Sequence, residues 1–111
     1  QRVIGDFFKA RRVNHGEAHV EKPGVALAQV ASTHGGIYAS HMRNEGSGIV
    51  NALDELTTIA REAKIPAEVS HLKLSGPNAW NRADEIIAYL DRARASGLKI
   101  THDQYAYTAS S

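Results

Sequence analysis

Three histidines recur along the chain at the interval of one strand and one helix. His41, His71 and His102 each follow a serine or threonine at the end of a short β-prone stretch, and they are separated by 30 and 31 residues. Strands that alternate with helices at this interval pair in parallel through right-handed crossovers. The spacing therefore predicts a parallel βαβαβ segment of the α/β class.

Local patterns support the individual helices and strands of this segment. Apolar residues recur at offsets of three and four from Ile49 to Ala63, which predicts an amphipathic helix. Ser47 is the expected N-cap of that helix, and Asn81 is the expected N-cap of the helix that follows. The remaining predicted elements are strands over 37–41, 67–71 and 99–105 and helices around 25–31 and 83–93.

The chain of 111 residues fits one domain. Residues 1–23 show no sustained period, and Pro23–Gly24 is expected to interrupt the chain. We therefore expect an N-terminal segment of undetermined structure over 1–23 and an α/β domain over 24–111. Because Gln1 is not an initiator residue, we also expect the natural N-terminus to lie upstream.

Composition excludes several classes of function. The chain has no cysteine, so disulfides, thiolate catalysis and cysteine-based metal sites are excluded, and a metal site must use histidines and carboxylates. A formal net charge of +1 disfavours nucleic acid and anionic membrane surfaces as partners. No apolar run reaches the roughly 18 residues of a membrane span, and the start lacks a signal-peptide core. We expect a cytoplasmic protein.

The positions of the histidines indicate a metal site. Ligands of parallel α/β sheets bind at the carboxyl ends of the strands, and neighbouring strands lie about 5 Å apart. Imidazoles of His41 and His71 at adjacent strand ends can therefore converge on one ion, for which zinc is the natural candidate. The alternative for any single histidine is a hydrogen bond to a nearby loop. His102 is a weaker candidate because Asp103 is equally suited to face inward.

Other polar residues follow the same strand ends. Lys73 lies two positions after the second histidine, so on a continuing strand its ammonium would lie beside the metal and bind a substrate carboxylate; an exposed loop lysine is the alternative. Every second position along the third predicted strand carries Asp103, Tyr105 or Tyr107, so one face would present a carboxylate and two phenols. Closely following the first strand are Arg43, Asn44 and Glu45, which either line the same site or belong to a solvated turn.

Three segments carry a resemblance to a known family. GGIYASHMRNEG (35–46), IPAEVSHLKLSG (65–76) and ITHDQYAYTASS (100–111) resemble consecutive strand-end motifs of the N-acyl-D-amino-acid deacylases, the D-aminoacylase family of the amidohydrolase superfamily. The resemblance covers about residues 24–111. Members of this family fold as a (β/α)8 TIM-type barrel with a small β-domain, so the resemblance implies a chain equivalent to the middle of that barrel and not a complete one.

The resemblance also implies roles for individual residues. His41 and His71 match two zinc ligands, and Lys73, Tyr105 and Ser111 match the residues that bind the carboxylate of an N-acyl-D-amino acid substrate. In such a site zinc polarises the acyl carbonyl and activates water to hydrolyse the amide bond.

This sequence departs from the family pattern in several respects. Ala106 stands where proline is usual, and His102 stands where a small residue is common. The His-x-His pair, the metal-bridging cysteine and the aspartate general base have no counterpart, so no catalytic residue is assigned. A barrel needs about 250 residues. We therefore expect the isolated chain to be inactive, and its open sheet edges to favour self-association or a completing chain.

Two functions follow from these observations. The first is a fragment or subunit of a zinc-dependent hydrolase that cleaves the amide bond of N-acyl-D-amino acids. The alternative is a non-catalytic α/β binding or assembly module that retains a partial metal site.

Overall fold

A computed structural model describes residues 22–109, in which helices and strands alternate. The elements are α1 (Lys22–Thr33), β1 (Tyr38–His41), α2 (Ile49–Ala63), β2 (Ala67–Ser70), a 3₁₀ turn (Trp80–Arg82), α3 (Ala83–Ala95) and β3 (Ile100–His102). The strands form one parallel sheet in the order β1-β2-β3. This confirms the predicted α/β class and the parallel βαβαβ arrangement. Within the described range, no helix has the length and apolar character needed to cross a membrane.

The strand register assigns side chains to the two faces of the sheet. Ser40, Val69 and His102 occupy one row across the three strands, and His41 is paired with Ser70 in the next. Val69 is completely buried in the core beneath the helices. Because successive residues of a strand point to opposite faces, the row of His41 and Ser70 faces away from the helices.

The predicted apolar stripe of α2 forms the centre of the core. Ile49, Leu53 and Leu56 of this helix are at most 1% exposed, and they pack in one cluster with Val69 and Leu90. Burying one such aliphatic side chain stabilises the folded chain by about 1.5–3 kcal/mol. This packing holds the sheet against the helices and so sets the positions of the strand ends.

The start of α1 differs from the sequence prediction. The expected interruption at Pro23–Gly24 is wrong, since α1 (Lys22–Thr33) includes both residues.

The starts of α2 and α3 also lack the predicted caps. Gly48, not Ser47, is the N-cap of α2, and the side chain of Asn44 accepts hydrogen bonds from the amides of Gly46 (2.8 Å) and Gly48 (3.2 Å). Such a turn orders the segment between β1 and α2 through a side chain outside the helix. At α3 the 3₁₀ turn comes first, so the N-cap is Arg82.

Two strands end earlier than predicted, which matters for the site. β2 ends at Ser70 and β3 at His102, whereas continued strands were expected to residues 71 and 105. His71 has a φ of 41°, a left-handed conformation that takes the chain out of the sheet. His71 lies in a turn and the residues after it, like those after β3, have no regular structure, so strand alternation does not set their directions.

Candidate metal centre

The structure brings His41 and His71 together at the carboxyl ends of β1 and β2. Their rings stack with centroids 4.3 Å apart and an interplanar angle of 28°. Nδ1 of His41 faces and contacts Nε2 of His71. A neutral imidazole has one protonated nitrogen and one nitrogen with a free lone pair. Two ring nitrogens brought together at adjacent strand ends are candidate ligands of one ion.

Asp103 fixes the backbone of His71. Its Oδ1 accepts a hydrogen bond from the His71 amide at 2.7 Å, and its own amide donates to the Val69 carbonyl at 3.2 Å. The hydrogen bond from the His71 amide is the main reason why the pKa of Asp103 lies below its usual value. Asp103 therefore supports the turn that presents the imidazole, and it does so from beyond the end of β3.

Lys73 reaches His71 through this turn. Its Nζ lies 2.8 Å from Nδ1 of His71 and 5.5 Å from the centre of the Tyr105 ring. The centroids of the His71 and Tyr105 rings are 6.2 Å apart. The expected neighbourhood of Lys73, Tyr105 and the histidines is therefore present, although a turn and not a continuing strand produces it.

Glu45 joins this group from the loop after β1. Its Oε1 is 2.8 Å from Nζ of Lys73 and 3.2 Å from Nδ1 of His71. The three side chains are between 15% and 21% exposed, so the ion pair is partly withdrawn from water. The sequence indicated Glu45 only as one of three residues that either line the site or belong to a solvated turn, because its contact with Lys73 joins two loops 28 residues apart.

Three other candidates lie elsewhere or outside the described range. Arg43 donates two hydrogen bonds to Glu55 of α2, at 2.9 and 2.6 Å, and so ties its loop to the helix. His102 is exposed and belongs to the row of Val69, on the helix side of the sheet. Ser111 lies outside the described residues.

Few side chains at the candidate metal centre can act as metal ligands. Between residues 22 and 109, no group of three or more histidine, cysteine, aspartate or glutamate side chains is arranged to hold a metal ion. His41 and His71 fit a metal as a pair of nitrogen donors, and a tetrahedral zinc site needs four ligands. Further donors have to come from outside this part of the chain.

A parallel α/β sheet with paired histidines at adjacent strand ends defines an α/β protein with a candidate metal site at the carboxyl edge of its sheet. No family model matches the chain. Among curated proteins, an N-acyl-D-glutamate deacylase from Alcaligenes xylosoxydans xylosoxydans is 34% identical over 100% of this chain and 24% of its own length. A D-aminoacylase from the same organism is 39% identical over 78% of this chain and 18% of its own length.

A solved structure shows that the similarity to deacylases extends to the fold. The N-acyl-D-glutamate deacylase from Bordetella bronchiseptica, complexed with zinc and a phosphonate inhibitor that mimics the tetrahedral intermediate, superimposes with a TM-score of 0.71 at 36% identity. The match covers 75% of this chain and 18% of that one. The chain belongs to the N-acyl-D-amino-acid deacylase (D-aminoacylase) family of the amidohydrolase superfamily, as its strand-end motifs indicated. It spans about a quarter or less of the length of the curated relatives it matches.

Proposed function

We propose that this chain supplies part of the zinc site of a hydrolase that cleaves the amide bond of N-acyl-D-amino acids. The observation that carries the proposal is the approach of Nδ1 of His41 to Nε2 of His71 at adjacent strand ends. The names of the similar deacylases and the zinc in one solved relative support the same assignment. Zinc bound by these nitrogens would polarise the acyl carbonyl and activate water.

Lys73 is the group that we assign to the substrate's carboxylate. Its ammonium has three donors, and the contacts with Glu45 and His71 hold it beside the paired histidines. Tyr105 lies under the same ammonium and limits the directions from which a carboxylate can approach. Ser111 is proposed as a further hydroxyl donor by family resemblance.

We also propose that the sheet is the middle of a (β/α)8 barrel. In the described part of the chain the outer edges of β1 and β3 have no strand partner, and the face of His41 is not covered by the three helices. Glu68 and Thr101 form a hydrogen bond on that face, two rows before His41 in the register. Additional strands, from a longer chain or from a partner, would close the barrel over these polar groups.

The metal content of the purified chain tests the zinc assignment. We expect more zinc per chain, by inductively coupled plasma mass spectrometry after identical dialysis, in the wild-type chain than in the His41→Ala/His71→Ala double variant. The exposed Glu62→Gln variant of α2 is the matched control and should retain zinc. Equal zinc in the wild-type chain and the double variant would contradict the proposal.

Turnover of an N-acetyl-D-amino acid separates the hydrolase from a binding module. The module is the second candidate because the described residues supply only two histidine ligands. Activity that is removed by a chelator and by His71→Ala supports the hydrolase. Bound zinc without turnover, in every oligomeric state, supports the module.

A further inference from the structure

One flank of α1 is apolar and exposed. Leu27 and Val30 are 54% and 60% exposed, while Val25 and Ala28 of the same helix are buried in the core. At about 3.6 residues per turn, positions three and four apart lie on the same side of a helix. Exposed Pro23 therefore lies on the side of Leu27 and Val30, one turn earlier. We refer to Pro23, Leu27 and Val30 as the α1 flank.

The α1 flank differs from the outer surface of an ordinary amphipathic helix. Such a helix turns its apolar residues toward the core and its polar residues toward water. α1 packs against α2, and its buried residues belong to the core. Leu27 and Val30 add nothing to that contact while more than half of each side chain is exposed. Covering them with a second apolar segment would remove this surface from water and so be favourable.

The segment that precedes α1 carries a matching group of apolar residues. Residues 1–21 lie outside the described structure, and they join α1 directly at Lys22. Near the start of this segment are Val3, Ile4, Phe7 and Phe8. We propose that residues 1–21 cover the α1 flank with this apolar group. The inference concerns the far side of the domain's helices and does not depend on zinc or on turnover.

The covalent connection favours this segment over a second copy of the chain or another protein. Phe8 lies 14 positions before Lys22, and a chain of that length spans up to about 50 Å when extended. α1 has 12 residues and is therefore about 18 Å long. The apolar group can thus reach every turn of the α1 flank. A segment tethered by so short a connection has an effective concentration on the order of millimolar, above that of a separate copy at micromolar concentration.

The two phenylalanines allow a direct test, because Phe7 and Phe8 are the only ones in the chain. We expect nuclear Overhauser effects between labelled phenylalanine rings and the methyl groups of Leu27 and Val30. Filtered spectra of mixed labelled and unlabelled chains should assign these contacts to one molecule, and tenfold dilution should leave them unchanged. Contacts found only between different molecules would show that a second copy covers the flank. A folded chain without any such contact would equally overturn the inference.

Limited proteolysis tests the same contact from the other side. Trypsin can cleave the segment after Lys9, Arg11 and Arg12, and cleavage follows the population in which the segment is detached. We expect about tenfold faster cleavage at these sites in Leu27→Ser/Val30→Ser than in wild type. The matched control is Ala26→Ser/Gln29→Ser, which alters two exposed positions of α1 outside the flank and should leave the rate unchanged.

A reciprocal variant separates loss of the contact from loss of the fold. Phe7→Ser/Phe8→Ser leaves α1 intact and should accelerate cleavage at the same three sites to a similar extent. Fragment masses identify the sites, and general unfolding would instead accelerate cleavage throughout residues 22–109. Equal rates at the three sites in wild type and in both double variants would show that residues 1–21 do not cover the α1 flank.

Discussion

His41 and His71 stack with ring centroids 4.3 Å apart although 30 residues separate them in the chain. The parallel register pairs His41 with Ser70, and the left-handed conformation of His71 turns its ring back over that pair. The approach of the two rings thus depends on both a regular sheet and an irregular residue directly after it. Changes that affect the turn should therefore affect metal binding without affecting the sheet.

Asp103→Ala should weaken zinc binding by up to about tenfold, because it removes the acceptor of the His71 amide. A hydrogen bond of this kind contributes about 0.5–1.5 kcal/mol, and 1.4 kcal/mol corresponds to a factor of ten. Asp103→Asn keeps an acceptor oxygen and should retain most of the affinity. Chelator competition measures both variants, and equal losses in the two would show that charge and not the hydrogen bond matters.

Arg43→Ala should leave zinc affinity within about twofold of wild type while lowering the free energy of unfolding by about 0.5–1 kcal/mol. The reason is that Arg43 pairs with Glu55 of α2 in a two-bond contact, with side chains 31% and 17% exposed. Urea unfolding and chelator competition on the same preparation test the two parts. A large loss of zinc affinity with unchanged stability would show that Arg43 takes part in metal binding.

Lys64→Gly should raise the free energy of unfolding by about 1 kcal/mol. Lys64 ends α2 with φ 51° and ψ 51°, a left-handed conformation that glycine adopts without the steric penalty of a Cβ atom. The hydrogen bond from Ser32 to the Lys64 carbonyl involves only the backbone of Lys64 and is kept. Glu62→Gly is the control inside the same helix, and it should instead lower the free energy of unfolding by about 1 kcal/mol. Urea unfolding measures both variants.

Deprotonation of Tyr89 should make the protein less stable as the pH rises above 10. The pKa of Tyr89 is raised from 10.0 to about 12, mainly because the side chain is partly buried and secondly because it donates a hydrogen bond to Asp54. The unfolded chain therefore loses this proton first, and the stabilising contribution is complete below pH 10 and is lost as the pH approaches 12.

Tyr89→Phe should reduce this alkaline loss and lower stability at neutral pH by about 1 kcal/mol, since the contacts with Asp54 and Thr57 disappear. Urea midpoints on either side of pH 10 measure both effects. Tyr107→Phe is the control, because Tyr107 is 81% exposed and should change neither. The same alkaline slope in Tyr89→Phe and wild type would show that Tyr89 is not its source.

Sequence patterns predicted the helices more closely than the turns. The bounds of α2 agree with its apolar period, because burial of one face of a helix repeats every three to four residues and is visible locally. The capping residues were missed, since Asn44 acts from outside the helix and a 3₁₀ turn precedes α3. Turn geometry depends on such individual hydrogen bonds, which leave no period in the sequence.

The sequence by itself determined the α/β class, the approach of His41 and His71, and the family, since these depend on spacing and on residue types at strand ends. Tertiary structure decided which of the candidate loop residues contact one another beside those histidines. It brought Glu45 into contact with Lys73 and His71, and it paired Arg43 with Glu55 of α2. The physical reason is that strand pairing is set by repeated local patterns, whereas side-chain contacts between loops depend on the single conformations that packing selects.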